Sequence, residues 1–278
     1  APVPGSVDVD GLLLQNKASS WKKLLKSPLP DVQSLAIEQL RRAGALSSAD
    51  LLRIYRESPY GVVRLEALMA LSATPDNHFI TAVTEASQDA YELVQRQAIR
   101  FIAKNGDRRL IPALIRLSIA NNTSDRCNFN VMTALACFPK EDLLAEFDRQ
   151  FDAPSVQYLD KNNLRGKIRN TIAHSADRLT TDIDKVVKGE ASEKDRTFTI
   201  RALRNTLPHH KVPELLVYLQ DCGDGNTQIL LLEALGWHTV SCHAADIAAT
   251  ALKMSEDASL PNTVRQEALK PYRRIHEK

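Results

Sequence analysis

The chain has 278 residues, with 36 Lys and Arg against 34 Asp and Glu, a formal net charge of +2, 5% aromatic residues and ten glycines. That length suits two ordinary domains or one extended repeat array, and a composition led by Leu, Ala, Ile, Arg and Glu disfavours an all-β fold. The balanced charge removes any single-sign field marking the whole molecule for nucleic acid or a membrane surface, and no apolar run approaches the roughly 20 residues of a membrane span.

The chain opens on Ala1-Pro2-Val3-Pro4-Gly5 without an initiator Met. Read as the product of signal cleavage, this start predicts an extracytoplasmic protein, periplasmic or secreted; read as a trimmed boundary, it leaves the cytoplasm open. Residues 1–26 are expected to form an arm and a capping helix, with Leu12 to Leu25 and Trp21 closing the amino end, and residues 27–278 to form one repeat domain.

From there a single framework recurs: an apolar residue, a small or apolar one four later, its neighbour, and another three beyond, which is helical spacing. It reads Val32, Ala36, Ile37, Leu40; Val63, Ala67, Leu68, Leu71; Val94, Ala98, Ile99, Ile102; and Cys127, Val131, Met132, Leu135. Less regular copies follow at Leu164, Ile168, Arg169, Ile172; Asp195, Thr199, Ile200, Leu203; Thr227, Leu231, Leu232, Leu235; and Val264, Ala268, Leu269, Tyr272, with starts spaced by 31 to 37 residues.

Between frameworks lie breaks and second periodic stretches: Ala49 to Glu57, Asp76 to Ser87, Asp107 to Ile119, Lys140 to Phe151, Ala176 to Val187, His210 to Leu219 and Ala244 to Met254. Gly44, Pro75, Asn105-Gly106-Asp107, Pro139 and Pro208 punctuate them. Each unit is therefore a helical hairpin that cannot bury its apolar face alone, and the prediction is an all-α, right-handed α-solenoid of about eight such repeats.

Val63-Arg64 and Val264-Arg265, each followed by Glu-Ala-Leu, and in part Asp31-Val32, resemble the signature of the HEAT family, especially the short HEAT-like repeats of phycobilisome lyases. The resemblance covers about residues 27 to 276. It implies the solenoid and leaves function open, because the family contains scaffolds, lyases, chaperones and nucleic-acid binders. In HEAT arrays the second helices line the concave face, which makes Arg53, Arg56, Arg108, Arg109, Arg116 and Arg149, with Glu146, the binding candidates; arginine is suited to anchoring carboxylates, phosphates and aromatic groups. A solvated face would carry the same residues.

No nucleotide-binding glycine loop, H-E-x-x-H or G-x-S-x-G occurs. The repeated His-Glu pairs of the HEAT-type deoxyhypusine hydroxylases are reduced to His276-Glu277. Cys127 and Cys137, ten residues apart on one expected helix, would lie too far apart to bridge, and four free thiols are predicted. The seven histidines, His78, His174, His209, His210, His238, His243 and His276, all fall 10 to 16 residues after a framework start, at the first-to-second helix turns along one edge.

His238, Cys242 and His243 are the residues whose spacing would permit Zn²⁺, while helix-end capping accounts for the same histidines without a metal, and no cofactor is predicted. Asp221 to Asn226 reads as a simple turn, and Asp152 to Asn163 as an irregular insertion. The expected function is a non-catalytic scaffold holding a protein or extended ligand on its concave face. The alternatives are a lyase-like or metal-handling protein using the His/Cys edge, and nucleic-acid binding along the amino-terminal arginines, which the neutral total charge disfavours.

Overall fold

A computed structural model describes residues 11, 17–123, 129–152 and 161–276, and among the described residues the chain is all-helical, with fifteen α-helices, two short 3-10 segments and no strand. None of these helices is long and apolar enough to cross a membrane. The internal contacts divide the chain into two compact units, residues 1–98 and 99–278, the division falling inside one helix.

The first unit contains α1 (Ala18–Leu24), α2 (Pro30–Arg42), α3 (Ser48–Glu57), α4 (Gly61–Leu71), α5 (Asn77–Ala86) and the beginning of α6 (Glu92–Asn105). Local chemistry sets the ends. Pro30 starts α2 where its missing N–H has no helical partner to lose. Ser47 and Asp50 close a reciprocal capping box on α3, and the Asp76 carboxylate accepts from the backbone N–H groups of His78 and Phe79 at the start of α5. First helices pack on first helices, α2 against α4, and second on second, α3 against α5, with α3 also against α4. Ala36, Ala67 and Ala98 are fully buried, and their short side chains permit this close stacking.

One buried polar contact ties successive hairpins of this unit. The Arg64 guanidinium grips Asp89 at 2.8 and 2.7 Å, and the Tyr55 hydroxyl donates to the same carboxylate at 3.1 Å. Burial opposes the Asp89 charge, but these donors and the Tyr91 N–H outweigh it and hold its carboxyl below the usual range.

The second unit continues through a 3-10 turn (Arg108–Leu110), α7 (Ile111–Thr123), α8 (Phe129–Leu135), α9 (Lys140–Phe151), α10 (Lys161–Val187), α11 (Glu193–Ala202), a second 3-10 turn (His209–Lys211), α12 (Val212–Asp221), α13 (Gly225–Leu235), α14 (Ala244–Glu256) and α15 (Asn262–His276). Again helices two apart meet: α7 with α9, α8 with α10, α11 with α13, α12 with α14, and α13 with α15. Leu203, Leu215, Leu231, Leu235, Ile247, Val264 and Ala268 belong to one apolar core.

The expected break before Ala176 does not occur. α10 runs unbroken for 27 residues, because nothing between Arg169 and Ala176 is Gly or Pro and the helix has no reason to stop. The departure at Arg169 has a local partner, since Arg169 and Arg165 both reach the Asp148 carboxylate on α9. Most of the irregular stretch from Asp152 to Asn163, and Cys127, lie outside the described residues.

Candidate functional site

The six predicted arginines stand on the second-helix segments, and most are engaged with carboxylates. In the first unit Arg53 pairs with Asp50 three residues earlier, and Arg56 grips Glu85 on the next second helix. Arg53 also lines a cavity of about 320 Å³ with Lys22, Lys26 and Glu57. In the second unit Arg108 pairs with Asp142, Arg109 with Asp107, and Arg149 with Glu146, whose carboxyl is held down first by Arg149 and more weakly by nearby Arg116. These are exposed pairs, screened by solvent, of the kind that adds little to stability.

The histidines divide in a way the spacing did not reveal. His174 is exposed in mid-α10, not at a turn, and His276 ends α15 beside Tyr272. His78 caps no carbonyl but sits in the first turn of α5, near Asp76. His209 and His238, by contrast, are 2% and 6% exposed, with rings 6.4 Å apart edge to face.

Around these two rings four inter-helix turns of the second unit converge. His209 Nε2 lies 2.8 Å from the carbonyl oxygen of Ala103, which can only accept, so Nε2 carries the proton and Nδ1 accepts from the Ser241 hydroxyl at 3.0 Å. The backbone N–H of His209 donates to the Cys137 carbonyl. Asn105 donates to the Val240 carbonyl at 2.8 Å, across 135 residues, and its own carbonyl accepts from the Cys242 N–H.

Gly106 makes room for the His209 ring: a Cβ there would stand 2.0 Å from His209 Cγ, and its φ of +72° already favours glycine. Burial pushes the His209 imidazole down to about 3, against the bond it donates to the Ala103 carbonyl, and lowers His238 as well. Both rings are neutral linchpins near neutral pH.

The three residues whose spacing would permit a metal are pulled apart. His238 spends Nε2 on the Leu203 carbonyl at 2.6 Å in the interior, Cys242 is at the surface, and His243 faces Asp246 at 3.2 Å. Among the described residues no group of three or more His, Cys, Asp or Glu is gathered as a metal ion requires. Among the described thiols burial raises Cys137 to about 12 and Cys222 in the same direction, and shielding of its sulfur, with Asp107 nearby, raises Cys242 to about 11. The Asp221–Asn226 segment is a turn in which Asp224 caps α13, accepting from the Asn226 N–H and the Thr227 hydroxyl.

Above the buried histidines the same turns form a surface cavity of about 260 Å³, lined by Lys104, Arg204, Asn205 and the run from Trp237 to Val240. Trp237 is 48% exposed, and the guanidinium carbons of Arg204 and Arg274 stand 4.7 and 4.2 Å from its ring centroid. Such contacts contribute about 0.5–1 kcal/mol each at exposed sites, and here they fix the direction of two cations.

The scaffold for this arrangement is legible residue by residue. A Cβ on Gly236 would meet Pro271 Cγ at 2.9 Å, so glycine lets α15 approach the end of α13; Arg274, one turn beyond Pro271 on the same face, then reaches Trp237. The His238 bond to Leu203 anchors the turn that carries Arg204. Sequence reasoning placed Trp237 and His238 in one turn but missed Lys104, Arg204 and Arg274, whose only signal was their position just past or within the apolar frameworks of other repeats.

A larger cavity of about 450 Å³ near Asp182, Glu190, Asp195 and the exposed Phe198 has no comparable arrangement, since Asp195 is occupied capping α11 with Ser192. No protein-family model matches this sequence, and no curated protein shows significant similarity to it.

Proposed function

We propose that the chain is a non-catalytic interaction module, a HEAT-like helical-hairpin array whose role is to hold a protein partner. The alternating contacts of first with first and second with second helices support the array, since stacking of this kind is how hairpins bury faces they cannot cover alone.

One observation carries the functional reading: the two inner histidines, His209 and His238, are committed to backbone carbonyls and the thiols beside them, Cys137 and Cys242, stay protonated at neutral pH, while a tryptophan flanked by arginines faces solvent. Trp237, flanked by arginines, opens into a cavity, and Trp and Arg are the side chains most often found to dominate binding energy.

Affinity capture with the intact chain from its native extract tests this, followed by titration of the purified chain with the recovered protein. A saturable one-to-one complex is expected. Recovery of nucleic acid alone, or of a small molecule that the chain consumes, would overturn the reading.

A further inference from the structure

We propose that the Trp237 cavity is the docking point for an acidic segment of a protein partner, one carboxylate of which is gripped by Arg204 and Arg274 with Lys104 supplying further positive charge. The proposal rests on the interaction-module reading and names the chemistry of the partner.

Lys104 and Arg204 line this cavity, Arg274 lies against its Trp237, and among the described residues no Asp or Glu lines it. Arg204 meets Glu233 at 3.5 Å, at the long end of an ion pair. Among the described residues Arg274 meets no carboxylate, and its Nη1, buried, has no hydrogen-bond partner. Both guanidinium carbons are tethered to one indole ring, which holds them no more than about 9 Å apart. A guanidinium fork suits the two oxygens of a carboxylate, and fixing it beforehand against the ring lowers the ordering cost of binding.

The size and charge favour a peptide over nucleic acid. A strand of nucleic acid needs a basic stripe and open aromatic faces for its bases, whereas this is one compact cavity, its aromatic ring is occupied by guanidiniums, and the total charge is only +2.

The chain contains two tryptophans, and Trp21 is 1% exposed, so Trp237 emission reports on the cavity directly. Titration with a hexaglutamate peptide at low ionic strength is expected to change that emission saturably, and salt should weaken the effect. Arg204→Gln and Arg274→Gln should each reduce affinity about tenfold, with helical circular dichroism and melting unchanged, and Trp237→Phe should remove the signal. Hexaglutamate leaving the emission unchanged overturns the proposal, as does equal response to hexalysine, inorganic phosphate or a single-stranded oligonucleotide. The captured partner separates the two readings: if it binds the Arg204→Gln/Arg274→Gln double variant as tightly as the wild type, the module stands and the cavity is not its docking point.

Discussion

The two units are built from the same kind of hairpin but close their polar accounts differently. In residues 1–98 the interior ion pair of Arg64 and Asp89, with Tyr55, joins one hairpin to the next, at sequence separations of 25 and 34. In residues 99–278 His209 to Ser241 and His238 to Leu203 join adjacent hairpins in the same way, but further bonds skip neighbours, from His209 to Ala103 across 106 residues and from Asn105 to Val240 across 135. A repeat array in which each unit touches only its neighbours predicts the first pattern and not the second. Periodic sequence can thus specify a stack while irregular turn residues decide where the stack is fastened.

The hardest blow to the first pattern is Ala67→Glu. Ala67 is fully buried, and forcing a charge among stacked first helices should cost about 4 kcal/mol or more, read as a lower urea midpoint and lost amide protection within residues 1–98. An unchanged melt would mean the repeat register is wrong. The corresponding blow to the second is Gly106→Ala, which combines a positive φ with a clash against His209; about 3 kcal/mol is expected, with protection lost at residues 103–106, 209 and 238–242 first. If protection is lost evenly across the second unit, these turns are not its fastening.

Acid should separate the two units without mutation. His209 binds its proton near 3 in the folded chain against an ordinary value of 6.5, and His238 is lowered in the same sense. The unfolded chain therefore takes up more protons, and the stability of the second unit, complete above pH 6.5, is lost as the pH falls toward 3. The slope reaches about 1.4 kcal/mol per pH unit for His209, and His238 acts in the same direction. Asp89 in the first unit is depressed below 3.8, so its contribution persists above that value and is lost only below it. Hydrogen exchange between pH 6.5 and 4.5 should show the second unit weakening alone.

The smallest effect is expected from the exposed arginines. Arg53→Ala and Arg109→Ala remove surface pairs and should shift stability by less than about 0.5 kcal/mol in either unit. A loss of partner binding at unchanged melting would assign those residues to an interface.

These contrasts also mark what the amino-acid sequence could reveal. Framework positions such as Ala67, Leu68, Ala98, Ile99, Leu231 and Ala268 are buried in the structure, because helical periodicity records burial directly. The single helix α10 was misread since the repeat template was carried across a stretch with no helix breaker. The convergence at His209 was hidden for a different reason: its acceptors are the main-chain carbonyls of Ala103, Leu203 and Val240, which any residue type supplies. The Trp237 cavity draws Lys104, Arg204 and Arg274 from three repeats, and no local spacing relates them.

The bond between Asn105 and Val240 bears finally on the order in which the molecule is assembled. During synthesis the hairpins of residues 1–98 can stack as each leaves the ribosome, since each finds its partner already made. The third hairpin cannot be locked until the seventh has been made, and the chain between must first give up the freedom of a loop of 135 residues. The carboxyl-terminal unit is therefore expected to fold more slowly than the amino-terminal one, and until its last turns arrive the pocket beside Trp237 does not exist.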